Sequence, residues 1–187
     1  IGDGAAGGDL LNVVLNADHD ASGAGSITLT PGASIRTGGG RIELAGGSAV
    51  DGDGYLTGRA SGSGTGISAT AADGSGILLN GATLQSDGGD IRVLGQSSDR
   101  PGNTDSAVGV FIINGTEIDS GAGTILIDGR SRAPDGAGNM GINIRRAQFG
   151  EAGTAEVAIT SANPTAAAIT LTGAGRWAKI LVRACFV

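Results

Sequence analysis

The sequence predicts an all-β chain that winds as a parallel β-helix, a solenoid of about five coils, over residues 1–175. Three observations predict this fold. Apolar residues alternate with polar ones in runs of only three to five residues, which is the period of a strand with one buried face. One strand–turn–strand frame recurs along the chain, and glycine recurs at the same places in it. We therefore expect stacked coils, with an axis roughly 25 Å long at a strand spacing of ~4.8 Å.

The recurring frame is clearest in the segments 27–44, 77–93 and 111–127. Each has an apolar run, a turn ending in glycine, an apolar residue three positions later and another apolar residue seven positions after that. A second glycine lies five positions past the first of these apolar residues. In sequence order these positions are Gly32, Ile35, Gly40 and Ile42, then Gly81, Leu84, Gly89 and Ile91, then Gly115, Ile118, Gly123 and Ile125.

Stacked coils need the same residues to face inward in every copy, because like side chains then lie over one another in the core. Spacing between the copies is irregular, which indicates a constant frame with variable loops. The residues predicted to face inward are Ile27, Leu29, Ile35, Ile42, Leu44, Leu79, Leu84, Ile91, Val93, Ile113, Ile118, Ile125 and Ile127, and Phe111 and Phe149 are placed in core register too.

An antiparallel β-sandwich is the alternative fold. Asn80-Gly81 and Asn114-Gly115 are residue pairs that type I′ hairpin turns prefer. A meander of hairpins, however, would not need one frame to recur in register after loops of different length. Stacked coils do need a frame that recurs in register, because every backbone group must pair with the neighbouring coil.

The remaining segments complete the predicted coils. Leu10–Leu15 is a further strand, and residues 48–76, rich in Gly, Ser, Ala and Asp, are interpreted as one degenerate coil with loops. A looser fourth copy runs over residues 142–159. In it, Phe149 and Val157 take the places of Ile118 and Ile125, and Ile169 and Leu171 then begin a fifth.

The last residues, 176–187, differ sharply in composition from the rest. Trp177, Ile180, Leu181, Ala184 and Cys185 fall at helical spacing, so this tail is either a helical cap over the last coil or a non-native end produced by truncation. Trp177 packed against Ile169 or Leu171 would favour the cap. A single cysteine cannot form an internal disulfide and says little about the redox compartment.

Composition excludes some partners. The net charge is −6, so the chain lacks the broad basic field that nucleic acids require. No apolar run approaches the ~20 residues of a transmembrane helix. We therefore expect no nucleic-acid partner and no membrane-spanning segment.

Catalysis by paired carboxylates would require acidic side chains that converge on one face. Asp87 and Asp90 share a turn but lack aligned acidic partners in the other copies, so they are interpreted as solvated turn residues; the only acidic residue in the row that follows the middle strand is Asp119. The sole histidine, His19, has no partner suggesting zinc or a triad and is predicted to be a solvated loop residue. No catalytic residue is assigned.

A partial calcium motif lies at the amino-terminal end. Asn16, Asp18 and Asp20 occupy alternate positions, as in the first half of an EF-hand loop. The motif then fails, because Ala21 stands where glycine is needed and Ile27 stands where a bidentate glutamate belongs. We predict a polar turn, and neither a metal nor another cofactor.

The segments "LLNVVLNADHDASGAGSITL", "LLNGATLQSDGGDIRVLG" and "IINGTEIDSGAGTILIDG" resemble the haemagglutinin repeats of large bacterial exoproteins exported by two-partner secretion, the filamentous-haemagglutinin type. The resemblance covers residues 8–173. It implies a right-handed parallel β-helix on the outer surface of a Gram-negative cell. The Asn-Pro motifs of that family's secretion domain are missing; the only Asn-Pro is Asn163-Pro164. The chain therefore resembles the repeat shaft.

This resemblance and the scattered charges predict a structural and adhesive shaft segment of a secreted or surface-displayed exoprotein, and not an enzyme. Receptors or glycans on host or neighbouring cells are the expected partners, and an outer-membrane transporter would be engaged through other parts of the protein. The alternative is a polysaccharide-active β-helix enzyme, a lyase or glycosidase. An acidic groove spanning several coils would favour that alternative.

Overall fold

A computed structural model describes residues 10–20, 23, 25–63, 74–99, 107–132, 139–146 and 155–175. Every regular element in these ranges is a β-strand, so the all-β prediction is confirmed for this part of the chain. In chain order the strands are β1 (Val13–Ala17), β2 (Ile27–Leu29), β3 (Ser34–Arg36), β4 (Ile42–Val50), β5 (Leu56–Gly58), β6 (Ala60–Ser61), β7 (Ile77–Asn80), β8 (Thr83–Gln85), β9 (Ile91–Gln96), β10 (Val108–Ile113), β11 (Glu117–Asp119), β12 (Ile125–Arg130), β13 (Met140–Arg145), β14 (Ala158–Thr160) and β15 (Ile169–Ala174).

The strands form three stacked sheets. Sheet I has the order β1-β4-β9-β12-β15, with β5 and β6 attached to β4 and β9; sheet II is β2-β7-β10-β13 and sheet III is β3-β8-β11-β14. All neighbours along these three paths pair in parallel. Each repeat places one strand in sheet II, one in sheet III and one in sheet I, so the three strands of a repeat lie in different sheets.

Within the described ranges, four complete repeats follow a lone first strand, where about five coils were predicted. A sandwich of antiparallel hairpins is not observed, because Asn80-Gly81 and Asn114-Gly115 connect sheet II to sheet III. Among the described strands, antiparallel pairing joins only β4 and β5. This pair belongs to an excursion from the frame and not to the strands of a repeat.

Inward-facing aliphatic residues from all three sheets pack into one core. In sheet I, Ile42, Ile91, Ile125 and Ile169 are partners in register, and the second inward position is aliphatic as well. The core joins residues from each sheet: Ile27, Ile42, Leu44, Ala60, Ile77, Leu79, Leu84, Ile91, Val93, Val110, Ile112, Ile118, Ile125, Ile127 and Ile142 are buried, and Leu29 and Ile35 pack against them.

The turns from sheet III to sheet I stack so closely that only glycine fits. A Cβ atom on Gly89 would overlap the carbonyl of Gly40, and one on Gly123 would overlap the carbonyl of Gly89. A hydroxyl closes each turn, because Thr37, Ser86 and Ser120 donate to the carbonyl three residues later at 2.5–2.7 Å. The glycine column predicted from the sequence is therefore a consequence of close backbone approach.

The interpretation of residues 48–76 as a degenerate coil is wrong for its described part. Strand β4 separates from β9 after Leu44 but stays paired with β1 as far as Gly46, and residues 46–58 form a hairpin in which β5 returns antiparallel to β4. The chain re-enters sheet I as β6, where Ala60 pairs with Gly95. The described part of this segment buries Leu56 and Ala60 but does not supply a full set of inward positions, which agrees with its low content of apolar residues.

Ile113 was predicted to face inward, and this is also wrong. Val110 pairs with Ile77 and Ile112 pairs with Leu79, so Ile112 takes the inward place. Ile113 and Phe111 instead belong to a second buried cluster with Leu78 and Val108 on the opposite face of sheet II. Between the inward residues of sheets II and III, the third repeat (Ile112 to Ile118) has one more residue than the second (Leu79 to Leu84). The extra residue lies in the turn at Asn114, where φ is 55°.

The fourth repeat is longer than predicted. Ile159, and not Phe149, pairs with Ile118, and Ile169, and not Val157, pairs with Ile125. Ile169 and Leu171 are thus the third strand of the fourth repeat and not the start of a fifth. Phe149 itself, and the predicted cap or tail at residues 176–187 with Trp177 and Cys185, lie outside the described residues.

Replacing Gly123 by alanine tests the stacked turns. The added methyl group is expected to destabilise the fold by about 2–3 kcal/mol, because it must displace the backbone of the neighbouring repeat. Urea denaturation measures the change. Gly52→Ala is the matched control: its Cβ would meet no atom within 4 Å, so the free energy of unfolding should change by less than about 0.5 kcal/mol. Equal effects of the two substitutions would contradict the close approach.

Candidate functional site

The hairpin of residues 46–58 folds over the outer face of sheet I. Its Leu56 is buried against Ala45 and Leu94, with Leu126 packed alongside. Glu43 also points outward from sheet I, yet the hairpin buries it completely, and one carboxylate oxygen accepts a hydrogen bond from the Leu56 amide at 2.5 Å. This part of the sheet is therefore covered by the chain itself.

Tyr55, the only tyrosine, is held at the tip of the hairpin. Its ring lies between two guanidinium groups, with Arg41 Cζ 4.7 Å and Arg92 Cζ 4.4 Å from the ring centre. Its hydroxyl donates to Asp90 at 2.9 Å. Arg92 forms an ion pair with Asp51 at 3.0 Å. Cation–π contacts and charge-assisted hydrogen bonds thus fix the hairpin to strand β9.

The carboxylates of this cluster differ in their environments. The Tyr55 amide, followed by the Arg92 side chain, lowers the pKa of Asp51. Burial alone would raise the pKa of Asp90, but hydrogen bonds from the Thr124 amide and hydroxyl outweigh it, and the pKa is lowered. Burial raises the pKa of Glu43 in spite of the Leu56 amide and the charge of Arg41. Asp51 and Asp90 are thus ionised at neutral pH.

The side chains of this cluster form hydrogen bonds and ion pairs with one another. Burial, followed by the hydrogen bond to Asp90, raises the pKa of Tyr55 to about 12, so its phenol keeps its proton at neutral pH and is a poor general base. Arg41 donates a hydrogen bond to the Gly54 carbonyl, and Arg59 forms a further ion pair with Asp128 of β12. The arrangement favours a clamp that secures the hairpin.

Sequence reasoning missed this clamp. Asp90 was interpreted as a solvated turn residue, and this is wrong, because it is half-buried and bonds both Tyr55 and Thr124. Arg41 and Tyr55 are 14 positions apart, and nothing in the repeat frame indicates that the chain folds back between them. The sequence carries one signal, a lone tyrosine in a segment with few other residues to bury.

Asp87 and Asp119 do not join Asp90 in the clamp. Asp87 is exposed and accepts a hydrogen bond from Gln85, and Asp119 accepts one from the Gly121 amide. Each carboxylate therefore closes its own turn. Asp119 does lie in register with Gln85 and Arg36 on the outer face of sheet III, as the repeats predicted.

The partial calcium motif forms a turn beside the hairpin. The Asn16 side-chain amide donates to the Gly47 carbonyl, and the Asp18 carboxylate accepts from the Gly23 amide. His19 is exposed, as predicted. Within the described ranges, no three His, Cys, Asp or Glu side chains are grouped to hold a metal. No helix in those ranges is long and apolar enough to cross a membrane.

A scan against protein-family models, a search of curated proteins and a search of solved structures each returned no match to this chain.

Spectrophotometric titration of Tyr55 tests the clamp. The single phenol should ionise near pH 12 in the folded chain and near 10 in denaturant. Because the pKa of Tyr55 is higher in the folded than in the unfolded state, its protonated phenol contributes fully to the free energy of unfolding below pH 10. This contribution is lost as the pH rises toward 12. In Asp90→Asn the pKa should fall toward 10. Ionisation of the folded wild-type phenol near pH 10 would contradict the contacts described here.

Proposed function

We propose that the chain is a segment of a right-handed parallel β-helix and serves as the structural and adhesive shaft of a secreted or surface-displayed exoprotein. The observation that carries this proposal is the in-register stack of three parallel sheets around one core. Such a stack extends by adding repeats, since each repeat contacts only its neighbours. It therefore suits a protein that must reach outward.

Closure into a helix is supported by the order in which the chain visits the sheets. That order is sheet II, sheet III and sheet I in each of the four repeats, and the inward residues of all three sheets share a core. The right hand is supported by the strong preference of connections between parallel strands for right-handed crossovers. It also agrees with the resemblance to filamentous-haemagglutinin repeats.

An adhesive role is supported by the outer face of sheet III. Its two outward rows vary freely from repeat to repeat while the inward row stays aliphatic. Most of these outward side chains are polar, and they are exposed or half-buried: Ser34, Thr83, Glu117 and Ala158 form one row, and Arg36, Gln85, Asp119 and Thr160 the other. A surface of this kind offers many modest contacts, and repetition along a filament raises the total affinity.

Catalysis is the less favoured role. A polysaccharide lyase or glycosidase would need carboxyl groups free to meet a substrate. Asp87 and Asp119 accept hydrogen bonds within their own turns, and Asp90 is held by Tyr55 and Thr124.

We propose the exterior of a Gram-negative cell as the location, and receptors or glycans of other cells as the partners, with the outer-membrane transporter engaged by other parts of the protein.

Beads coated with the chain test the adhesive proposal. We expect them to attach to cell surfaces more than beads coated with an unrelated protein of equal charge. Because contacts are spread over several repeats, Arg36→Ser, Gln85→Ser and Asp119→Ser should each change attachment less than about two-fold. Attachment no greater than that of the control beads would contradict adhesion by this segment.

Incubation of the soluble chain with polysaccharides and with ester and glycoside substrates tests the enzyme alternative. We expect no turnover, and no effect of Asp87→Asn, Asp90→Asn or Asp119→Asn on the background rate. Turnover that one of these substitutions abolishes would overturn the shaft proposal and establish a catalytic carboxylate.

A further inference from the structure

The outer face of sheet III carries its charges on two strands that are separated by a neutral one. Successive repeats each contribute one strand, or rung, to this face, and the outward residues of the first three rungs are Ser34 and Arg36 in β3, Thr83 and Gln85 in β8, and Glu117 and Asp119 in β11. All six are exposed or half-buried. These rungs and the turns at both of their ends lie wholly within the described residues. The face is thus positive at β3, neutral at β8 and negative at β11.

The opposite charges on this face do not neutralise each other within one chain. Arg36 and Asp119 pair in register with Gln85 from opposite sides, so they lie two rungs apart, or about 10 Å. Among the residues that the structure describes, neither Arg36 nor Glu117 has an ion-pair partner. On the outer face of sheet I, by contrast, Arg92 is paired within the clamp. The charges of sheet III are therefore available to a partner.

A second copy of this face is complementary to the first when the two stacks run in opposite directions. A two-fold axis along β8 reverses the order of the rungs and keeps the two rows, so β3 of each copy lies over β11 of the other. Arg36 of one copy then faces Asp119 of the other, and symmetry repeats this contact. Ser34 faces Glu117, which its hydroxyl can bond. Gln85 faces its own counterpart, and a carboxamide carries both donors and an acceptor.

Two stacks that run in the same direction are not complementary. A two-fold axis along the stack keeps the order of the rungs and exchanges the two rows, so Asp119 of one copy would face Glu117 of the other. Like charges placed directly opposite each other are destabilising. The charges of this face therefore select the antiparallel orientation and disfavour the parallel one.

We propose that the outer face of sheet III binds a second copy of the chain, with the two stacks antiparallel. The inference rests on the adhesive function proposed above, and it adds a copy of the chain on another filament to the partners named there. Filaments that extend from two facing cells meet in this orientation, so the contact joins cells that display the same protein.

One pair of faces binds weakly. The contact covers three short rungs, which is a smaller area than the ~1,600 Å² of standard protein interfaces, and we expect a dissociation constant of about 1 mM. Repetition of the contact along two filaments raises the total affinity. Surfaces coated densely with the chain should therefore adhere to each other although the dilute chain stays monomeric.

Charge reversal on beads of two colours tests this contact. Beads coated with the wild-type chain should aggregate. Arg36→Asp sets carboxylates opposite each other, and Asp119→Arg sets guanidinium groups opposite each other, so beads coated with either variant should aggregate at least ten-fold less. A mixture of the two variants should aggregate again, with each bead bound to one of the other colour, because opposite charges then face each other.

Arg130→Asp is the matched control, because it makes the same change of charge at the exposed end of β12 in sheet I and should leave aggregation unchanged. Circular dichroism of the Arg36→Asp and Asp119→Arg variants should match that of the wild type, since both residues point outward. Aggregation of wild-type beads should also weaken as the salt concentration rises, because salt screens exposed ion pairs, and this measurement needs no variant.

Three results would refute the antiparallel contact: wild-type beads that do not aggregate, aggregation that neither salt nor Arg36→Asp weakens, or a mixture of the two variants that aggregates no more than each alone. Attachment to cells that lack the chain separates this failure from that of the adhesive proposal. Beads that attach to such cells but do not aggregate refute the antiparallel contact alone. Beads that aggregate in the expected pattern but attach to no such cell refute the receptors and glycans alone.

Discussion

The close approach of successive turns governs the rest of the structure. Gly89 lies against the carbonyl of Gly40, and Gly123 lies against that of Gly89, so the backbones of neighbouring repeats are in direct contact at the corner between sheets III and I. Ser86 and Ser120 close these turns through side-chain hydrogen bonds. A turn fixed in this way sets the register of the strand that follows, because inward and outward residues alternate with a period of two.

Register in turn determines what the outer faces can do. With Ile42 over Ile91, the outward neighbours Glu43 and Arg92 also lie side by side. Glu43 then accepts a hydrogen bond from the Leu56 amide of the hairpin, and Arg92 forms an ion pair with Asp51 of the hairpin. A shift of one residue would place aliphatic side chains under the hairpin and charged ones in the core. The clamp and the core therefore depend on the same ladder.

The parallel stack could be predicted from the sequence because the repeated frame is local. A glycine, an apolar residue three positions later and another seven positions after that all lie within one repeat. The sequence did not predict the hairpin, which depends on contacts between Tyr55 and strands distant in sequence. Ile113 was misplaced because the sequence does not reveal whether an extra residue lies in the strand or in the turn. Ile169 was assigned to the wrong repeat for a similar reason, since inserted residues precede it.

The interrupted rung of sheet I offers a natural site for grafting foreign peptides. Strand β4 separates from β9 and β6 resumes beside it, and the exposed turn residues Gly52 and Asp53 of the hairpin between them form none of the side-chain contacts that hold the clamp. The free-energy cost of lengthening such a connection rises only with the logarithm of its length, by about 0.6 kcal/mol for each doubling. Evolution or a protein engineer can thus insert residues at this turn while the clamp and the repeats beneath it keep their phase.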